Sequence, residues 1–252
     1  MKKACVIGWP IEHSRSPLIH GHWLKKYAID GSYTKHAVTS DELAEFLRSL
    51  GENGVAGCNV TVPHKEAAFA HADIKDASAV AVGAANTIWL EGGKIACANT
   101  DTYGFMTHLT NEAPDWHKAG RPVAVLGAGG AARAIVYGFL NAGVKDVRLF
   151  NRSIARAQEL ATHFGSSVTA GAWSSFETAP DPFSVVVNAT TLGMKSANDV
   201  DFGLDHLPAD CVVADIVYVP LETGLLRRAK SRRLKTVDGL GMLLHQAVPG
   251  FE

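Results

Sequence analysis

The chain has 252 residues, 47% of them hydrophobic and 19% charged, and a formal net charge of −1 at pH 7. That length fits one large domain or two modest ones, and the composition is too apolar for a disordered chain. Scattered charges of both signs exclude the basic stripe of a nucleic-acid binder, and no apolar run approaches the roughly 20 residues that span a bilayer, so neither nucleic acid nor membrane is an expected partner. The four cysteines, Cys5, Cys58, Cys97 and Cys211, lie far apart without a CxxC pair, which predicts buried free thiols in a cytoplasmic protein and no metal site. The opening run to Pro10 is too short for a signal peptide, and the sequons at Asn59 and Asn188 are coincidental in such a compartment.

Residues 3–7 read as a first strand. Ser16-Pro17 then opens a helix, with Ser16 as cap, Pro17 at the first helical position, and Leu18, Ile19, Trp23, Leu24 and Tyr27 as its apolar stripe. A strand over 32–37 is followed by a capping box, Thr39 to Glu42, ahead of Leu43, Phe46, Leu47 and Leu50. A third strand covers 57–60, Pro63 starts a helix, and 88–96 forms a hairpin around Gly92-Gly93. After a linking helix, a second α/β unit begins near Gly104, with strands at 122–126, 147–150, 185–188 and 212–216. Arg227, Arg228, Lys230, Arg232 and Arg233 read as the solvated face and end of a helix, and Gly239 and Gly241 open a final helix over 242–248. Alternating strands and helices predict mostly parallel α/β sheets.

The strand at 122–126 runs into Gly127-Ala128-Gly129-Gly130-Ala131-Ala132 and then a helix-forming run from Arg133. In a strand–turn–helix setting such glycines let backbone N–H groups approach a pyrophosphate at the helix N-terminus, with Ala132 as a small residue at the third glycine position. The alternative is an ordinary tight turn. The next strand ends in Asn151-Arg152-Ser153, with Arg156 one helical turn on. No acidic residue stands there to accept from a ribose 2′-OH, whereas two guanidinium groups and a hydroxyl suit a 2′-phosphate, which points to NADP.

Further polar segments adjoin apolar strands: Ser14-Arg15-Ser16-Pro17, Asn59 to Lys65, Ala84 to Thr87, and Asn99-Thr100-Asp101. Each alone has a structural reading, with Ser16 as a cap, Lys65 as a solvated helix residue and Asp101 as the cap of a helix from Thr102. Together they resemble the shikimate dehydrogenase family (shikimate and quinate dehydrogenases) over nearly the whole chain. Ser14 and Ser16 match its SxS loop, Asn59 to Lys65 its NVTxPxK, Ala84 to Thr87 its AxNT, and Asn99 to Asp101 its NTD. Gly127 to Arg133 match its GxGGAxR loop, and Asn151 to Ser153 its NRT-type phosphate reader. Asn188 to Met194 match NATxxGM, Asp215 to Leu226 match DxxYxPxxTxLL, and Gly239 to Ala247 match GxxMLxxQA. Ser153 replaces the family's usual Thr and keeps the hydroxyl; members usually continue into another helix beyond the one carrying Gln246.

The resemblance implies two α/β domains with the active site in the cleft between them: a mostly parallel substrate domain over 1–103, completed by 238–252, and a Rossmann-type NADP-binding domain over 104–237. It implies that Lys65 and Asp101 are a catalytic acid–base pair, and that these two with Ser14, Ser16, Thr61, Asn86, Tyr218 and Gln246 hold shikimate or 3-dehydroshikimate. Gly127, Ala128, Gly129, Gly130 and Ala131 are then expected at the pyrophosphate, Asn151, Arg152, Ser153 and Arg156 at the adenosine phosphate, and Thr190, Met194, Val217, Gly239 and Met242 at the nicotinamide. A lysine that stabilises a developing alkoxide and supplies its proton needs no metal. The implied activity is NADPH-dependent reduction of 3-dehydroshikimate on the way to aromatic amino acids, by a monomer or homodimer. Broader quinate/shikimate specificity, a non-catalytic NADP-sensing module and a folate-type dehydrogenase are the rivals. Retained Lys65 and Asp101 speak against the sensor, and the hydroxyl-reading residues against a pterin.

Overall fold

The strands sort into two six-stranded sheets in a computed structural model that describes residues 1–179, 182–194 and 198–251. Each sheet belongs to its own compact unit, the first Met1–Thr100 with Gln246–Glu252, the second Asp101–His245.

In the first unit the elements run β1 (Lys2–Gly8), α1 (Ser16–Lys26), β2 (Gly31–Ala37), α2 (Leu43–Arg48), β3 (Val55–Val60), α3 (Lys65–His71), β4 (Ile74–Lys75), α4 (Ala77–Val82), β5 (Thr87–Glu91) and β6 (Lys94–Ala98). Their order across the sheet is β2-β1-β3-β5-β6-β4. Only β5 runs against the rest, because the Gly92-Gly93 hairpin joins it to β6. The core beneath includes Ile7, Leu43, Leu47, Leu50, Val60 and Ile88.

Several local readings shift here. Ser16 is the first residue of α1 rather than its cap; the Ser14 hydroxyl accepts from the Ser16 N–H at 3.4 Å. The apolar stripe holds only in part: Ile19, Trp23 and Leu24 are half-buried, but Leu18 and Tyr27 are 67% and 58% exposed, and the fully buried residues of α1 are Ser16 and His20. The helix turns a polar face inward because His20 stacks on Tyr33, with ring centroids 4.2 Å apart. The capping box does not form as read: Glu42 accepts from the Thr39 N–H at 2.9 Å and from its hydroxyl at 2.7 Å, but Glu42 itself, not Thr39, is the N-cap of α2. α3 starts at Lys65, two residues after Pro63.

The second unit runs α5 (Asp101–Glu112), β7 (Val123–Leu126), α6 (Gly130–Asn141), β8 (Val147–Asn151), α7 (Ile154–Phe164), β9 (Val168–Ala172), a 3-10 turn (Trp173–Ser175), β10 (Val185–Asn188), β11 (Val212–Asp215), α8 (Gly224–Ser231), β12 (Lys235–Val237) and α9 (Gly239–Ala247), whose last two residues, Gln246 and Ala247, count with the first unit. All pairings are parallel, in the order β12-β11-β10-β7-β8-β9, the doubly wound arrangement whose switch point lies beside β7. Both faces are covered: Val123 and Val125 join Ile135 and Phe139 in one core, whereas Ala124 and Leu126 join Phe176 and Phe183 in the other. That explains β7 as an unbroken apolar run. The basic cluster is only partly a solvated face. Arg228 donates to the Val200 carbonyl and Arg232 to those of Leu204 and Leu207, so both fasten the segment before β11.

All four cysteines are free and buried. Both sequon asparagines are buried, Asn59 at 9% and Asn188 at 0% exposed. No helix among the described residues is long and apolar enough to cross a membrane.

Candidate active site

Parallel strands present their carboxyl ends on one edge of a sheet, and each unit gathers its candidate residues there. In the first unit β1 and β3 are in register through Ile7 and Val60, and the Thr61 N–H donates to the Ile7 carbonyl at 2.9 Å. The loop after β1 carries Ser14 and leads to Ser16 at the start of α1, both buried; the loop after β3 carries Thr61 and leads to Lys65, half-buried at the start of α3. The Ala85 N–H donates to the Lys65 carbonyl at 2.8 Å, which brings the lysine's backbone beside Asn86.

Asn86 is the hub of this edge. Its Nδ2 donates to the Thr100 hydroxyl at 2.8 Å and to Gln246 Oε1 at 3.2 Å, and its Oδ1 accepts from the Thr100 N–H at 2.9 Å. Gln246, 160 positions away in sequence, is thereby joined to the Asn86 segment. Asn59 extends the network: its Nδ2 reaches the Thr87 hydroxyl at 3.2 Å and its Oδ1 accepts from the Tyr33 hydroxyl at 2.6 Å. Burial, first, and then Cys5 and Cys58 hold the Tyr33 phenol above its usual pKa, with Ser16 acting in the opposite direction. Burial alone depresses His20 to about 4, so the stacked imidazole is neutral.

In the second unit the register aligns Leu126 of β7 with Phe150 of β8 and Asn188 of β10, and Asn188 with Asp215 of β11. The loops leaving that edge are therefore Gly127 to Ala131, Asn151 to Ser153, Ala189 to Met194 and Ile216 to Tyr218. Gly127 has φ +118°, and a Cβ there would lie 2.9 Å from the Thr190 methyl, so only glycine serves. At Gly129 a Cβ would meet nothing within 4 Å, leaving open space before the N-terminus of α6, whose first-turn N–H groups have no intrahelical acceptor. Ala128 and Ala132 are buried, Ala132 completely, which seats the helix closely on the strand.

Arg152, Ser153 and Arg156 are exposed, and Asn151 is half-buried with its Nδ2 bracing the Ser153 carbonyl at 2.8 Å. Gly129 as a cradle, helix N–H donors behind it and arginines without an acid at the end of β8 fit a 2′-phosphorylated dinucleotide. Thr190, Met194 and Tyr218 are half-buried, and Val217 and Met242 buried. Gly239 packs so tightly on β11's exit that a Cβ would sit 2.3 Å from the Ile216 carbonyl oxygen. Asp101 is 3% exposed at the first position of α5, directly after Thr100 in the chain.

Comparison with known proteins matches residues 6–88 to the shikimate dehydrogenase substrate-binding domain and residues 111–197 to shikimate / quinate 5-dehydrogenase. A shikimate dehydrogenase (NADP(+)) of Azorhizobium caulinodans is 52% identical over 251 residues, covering 100% of this chain and 89% of that protein. The chain belongs to the shikimate dehydrogenase family. Among solved structures, the shikimate 5-dehydrogenase of Thermus thermophilus, in complex with NADP(H) and shikimate, has TM-score 0.82 and 35% identity over 100% of this chain and 92% of that one. The quinate dehydrogenase of Corynebacterium glutamicum, in complex with NAD, has TM-score 0.86 and 28% identity over 99% of this chain and 92% of that one.

Sequence reading missed Tyr33 as the partner of Asn59 with His20 stacked on it, and Asn188, Asp215 and Thr223 as a buried polar group in the second unit. A signal was present for two of them: Asn188 and Asp215 each end an otherwise apolar strand.

Proposed function

We propose that this protein is an NADP-dependent shikimate dehydrogenase that interconverts 3-dehydroshikimate and shikimate, a step in aromatic amino acid biosynthesis. What carries the reading is the presence, on one chain, of two furnished carboxyl edges: a hydroxyl-reading set around Asn86 and a glycine cradle beside Arg152. The names of relatives 52% identical over the whole chain support it.

Ser14, Ser16, Thr61, Asn86 and Gln246 supply donors and acceptors for the ring's carboxylate and hydroxyls, with Tyr218 at the carboxylate end. Backbone N–H groups at 129–131 receive the pyrophosphate, and Arg152, Ser153 and Arg156 the 2′-phosphate. The bound nicotinamide supplies the hydride. During reduction of the ketone the Lys65 ammonium would stabilise the charge growing on the carbonyl oxygen and donate its proton there, giving the alcohol and neutral lysine. The Asp101 carboxylate orients the ammonium. In the oxidative direction neutral Lys65 takes the hydroxyl proton back.

The test is initial-rate reduction of NADP+ and NAD+ with shikimate and with quinate. The reading expects shikimate with NADP+ to have the highest kcat/KM of the four combinations. A quinate-led order would transfer the assignment to quinate, and no turnover in any combination would leave a binding module.

A further inference from the structure

Asp215, which ends β11, is 1% exposed and stands in register opposite Asn188, which ends β10 at 0%. Its Oδ1 accepts from Asn188 Nδ2 at 2.9 Å and from the Val217 N–H at 3.0 Å, and its Oδ2 accepts from the Thr223 hydroxyl at 2.7 Å. Asn188 carries the connection onward. Its Oδ1 accepts from both the N–H and the hydroxyl of Thr190, at 3.1 and 2.7 Å, and its Nδ2 also donates to the Leu192 carbonyl at 3.0 Å. Thr223 simultaneously caps α8 through the Leu226 N–H. One buried carboxylate thus binds together the loops that leave β10 and β11 and the start of α8. Buried networks of this kind fix geometry because a partner left without its hydrogen bond is costly.

Sheet order gives this arrangement a direction. In the sequence β11-β10-β7-β8, Arg152 follows β8 on one side of β7, while Thr190 and Val217 follow β10 and β11 on the other. A dinucleotide bound across the switch point lies with its two ends on opposite sides of the central strand. We propose that Asp215, acting through Asn188 and Thr223, is a positioning residue that sets the nicotinamide end of the dinucleotide site without touching its adenosine end. The inference rests on the functional reading above, in which Thr190 and Val217 face the nicotinamide.

The probes are NADP+ and 2′,5′-ADP, which keeps the adenosine and its 2′-phosphate but lacks the nicotinamide half. Both are titrated calorimetrically into wild type, Asp215→Ala, Asp215→Asn and Asn188→Ala. For Asp215→Ala the expected result is a Kd for NADP+ raised about tenfold with that for 2′,5′-ADP within about twofold, a split that general damage to the unit would not produce. Asn188→Ala repeats the split, and Asp215→Ala/Asn188→Ala is no worse than the larger single loss, since both act through one network. Equal weakening of both ligands overturns the inference, as does unchanged NADP+ affinity. If Asp215→Ala does not fold, the same two criteria are applied to Asp215→Asn, which keeps the shape but turns an N–H toward a donor. Wild type that binds neither ligand overturns the functional reading and this inference together, an outcome distinct from a silent variant of a binding-competent wild type.

Discussion

The carboxyl edges of the two sheets are furnished by different means. In the first unit side chains do it: Asn86 is held by Thr100 and Gln246, and Asn59 by Tyr33 and Thr87. In the second the backbone does it, with Gly127 at φ +118° and Gly129 facing open space before α6. The contrast fits the ligands proposed for the two edges. A small ring acid is told from its analogues only by individually placed donors and acceptors, whereas a pyrophosphate is satisfied by a row of N–H groups at a helix terminus. Side-chain readout needs support from behind, and backbone readout needs side chains kept away.

If that division holds, substitutions on the two edges separate chemistry from cofactor binding. The largest effect is expected at Lys65: Lys65→Ala lowers kcat about 10³-fold while the Kd for NADP+ stays within about twofold, measured by rates and calorimetry in parallel. Next comes Gly129→Val, which fills the cradle with a side chain whose Cβ meets no heavy atom within 4 Å. It is expected to weaken NADP+ roughly 100-fold with little change in Tm; a matching loss of Tm would mean the position is structural. Arg152→Glu sharpens the comparison within the cofactor edge. NADP+ affinity should fall about tenfold or more while NAD+ affinity is unchanged or improved, because a carboxylate repels the 2′-phosphate and accepts from a 2′-OH.

The remaining effects are on stability rather than on binding or turnover, and concern pH, where the two units oppose each other. His20 is held near 4 by burial, below its ordinary 6.5, so the folded state favours the neutral ring. Its contribution is complete above pH 6.5 and lost as pH falls toward 4, by up to about 3 kcal/mol. Asp215 is pushed up to about 6 by burial, against the hydrogen bonds from Thr223, Val217 and Asn188. It contributes stability below its unfolded value of 3.8, lost as pH rises through 6. Thermal unfolding of His20→Gln between pH 7 and 4.5 should therefore show a shallower acid decline than wild type. An identical decline would remove His20 from the account.

The backbone-furnished edge was the more legible in sequence. A glycine loop between an apolar strand and a helix has few other uses, and arginines at the end of β8 are visible as a substitution for an acid. The buried strands β7, β8, β10 and β11 were readable as apolar runs, but the sheet margins β9 (VTAGA) and β12 (KTV) were not, being short and half polar. The side-chain edge was legible only by family resemblance, since Ser16, Lys65 and Asp101 each have an ordinary helical use. Long-range pairing hid the rest. Tyr33 meets Asn59 across 26 positions, and α1's inward polar face makes sense only once His20 is stacked on Tyr33. No periodicity rule finds a helix that buries serine and histidine while exposing Leu18.

The central claim, that Lys65 performs proton transfer on a ring acid in a chain that also builds an NADP site, is tested most directly by NADP+ reduction followed by absorbance. Shikimate is the substrate, wild type is compared with Lys65→Ala, and NADP+ affinity is measured on the same samples. The account predicts robust shikimate-dependent reduction in wild type and its collapse in Lys65→Ala with cofactor affinity retained. A Lys65→Ala protein that still turns over at the wild-type rate, or a wild type that binds NADP+ tightly yet never reduces it with shikimate, would contradict it.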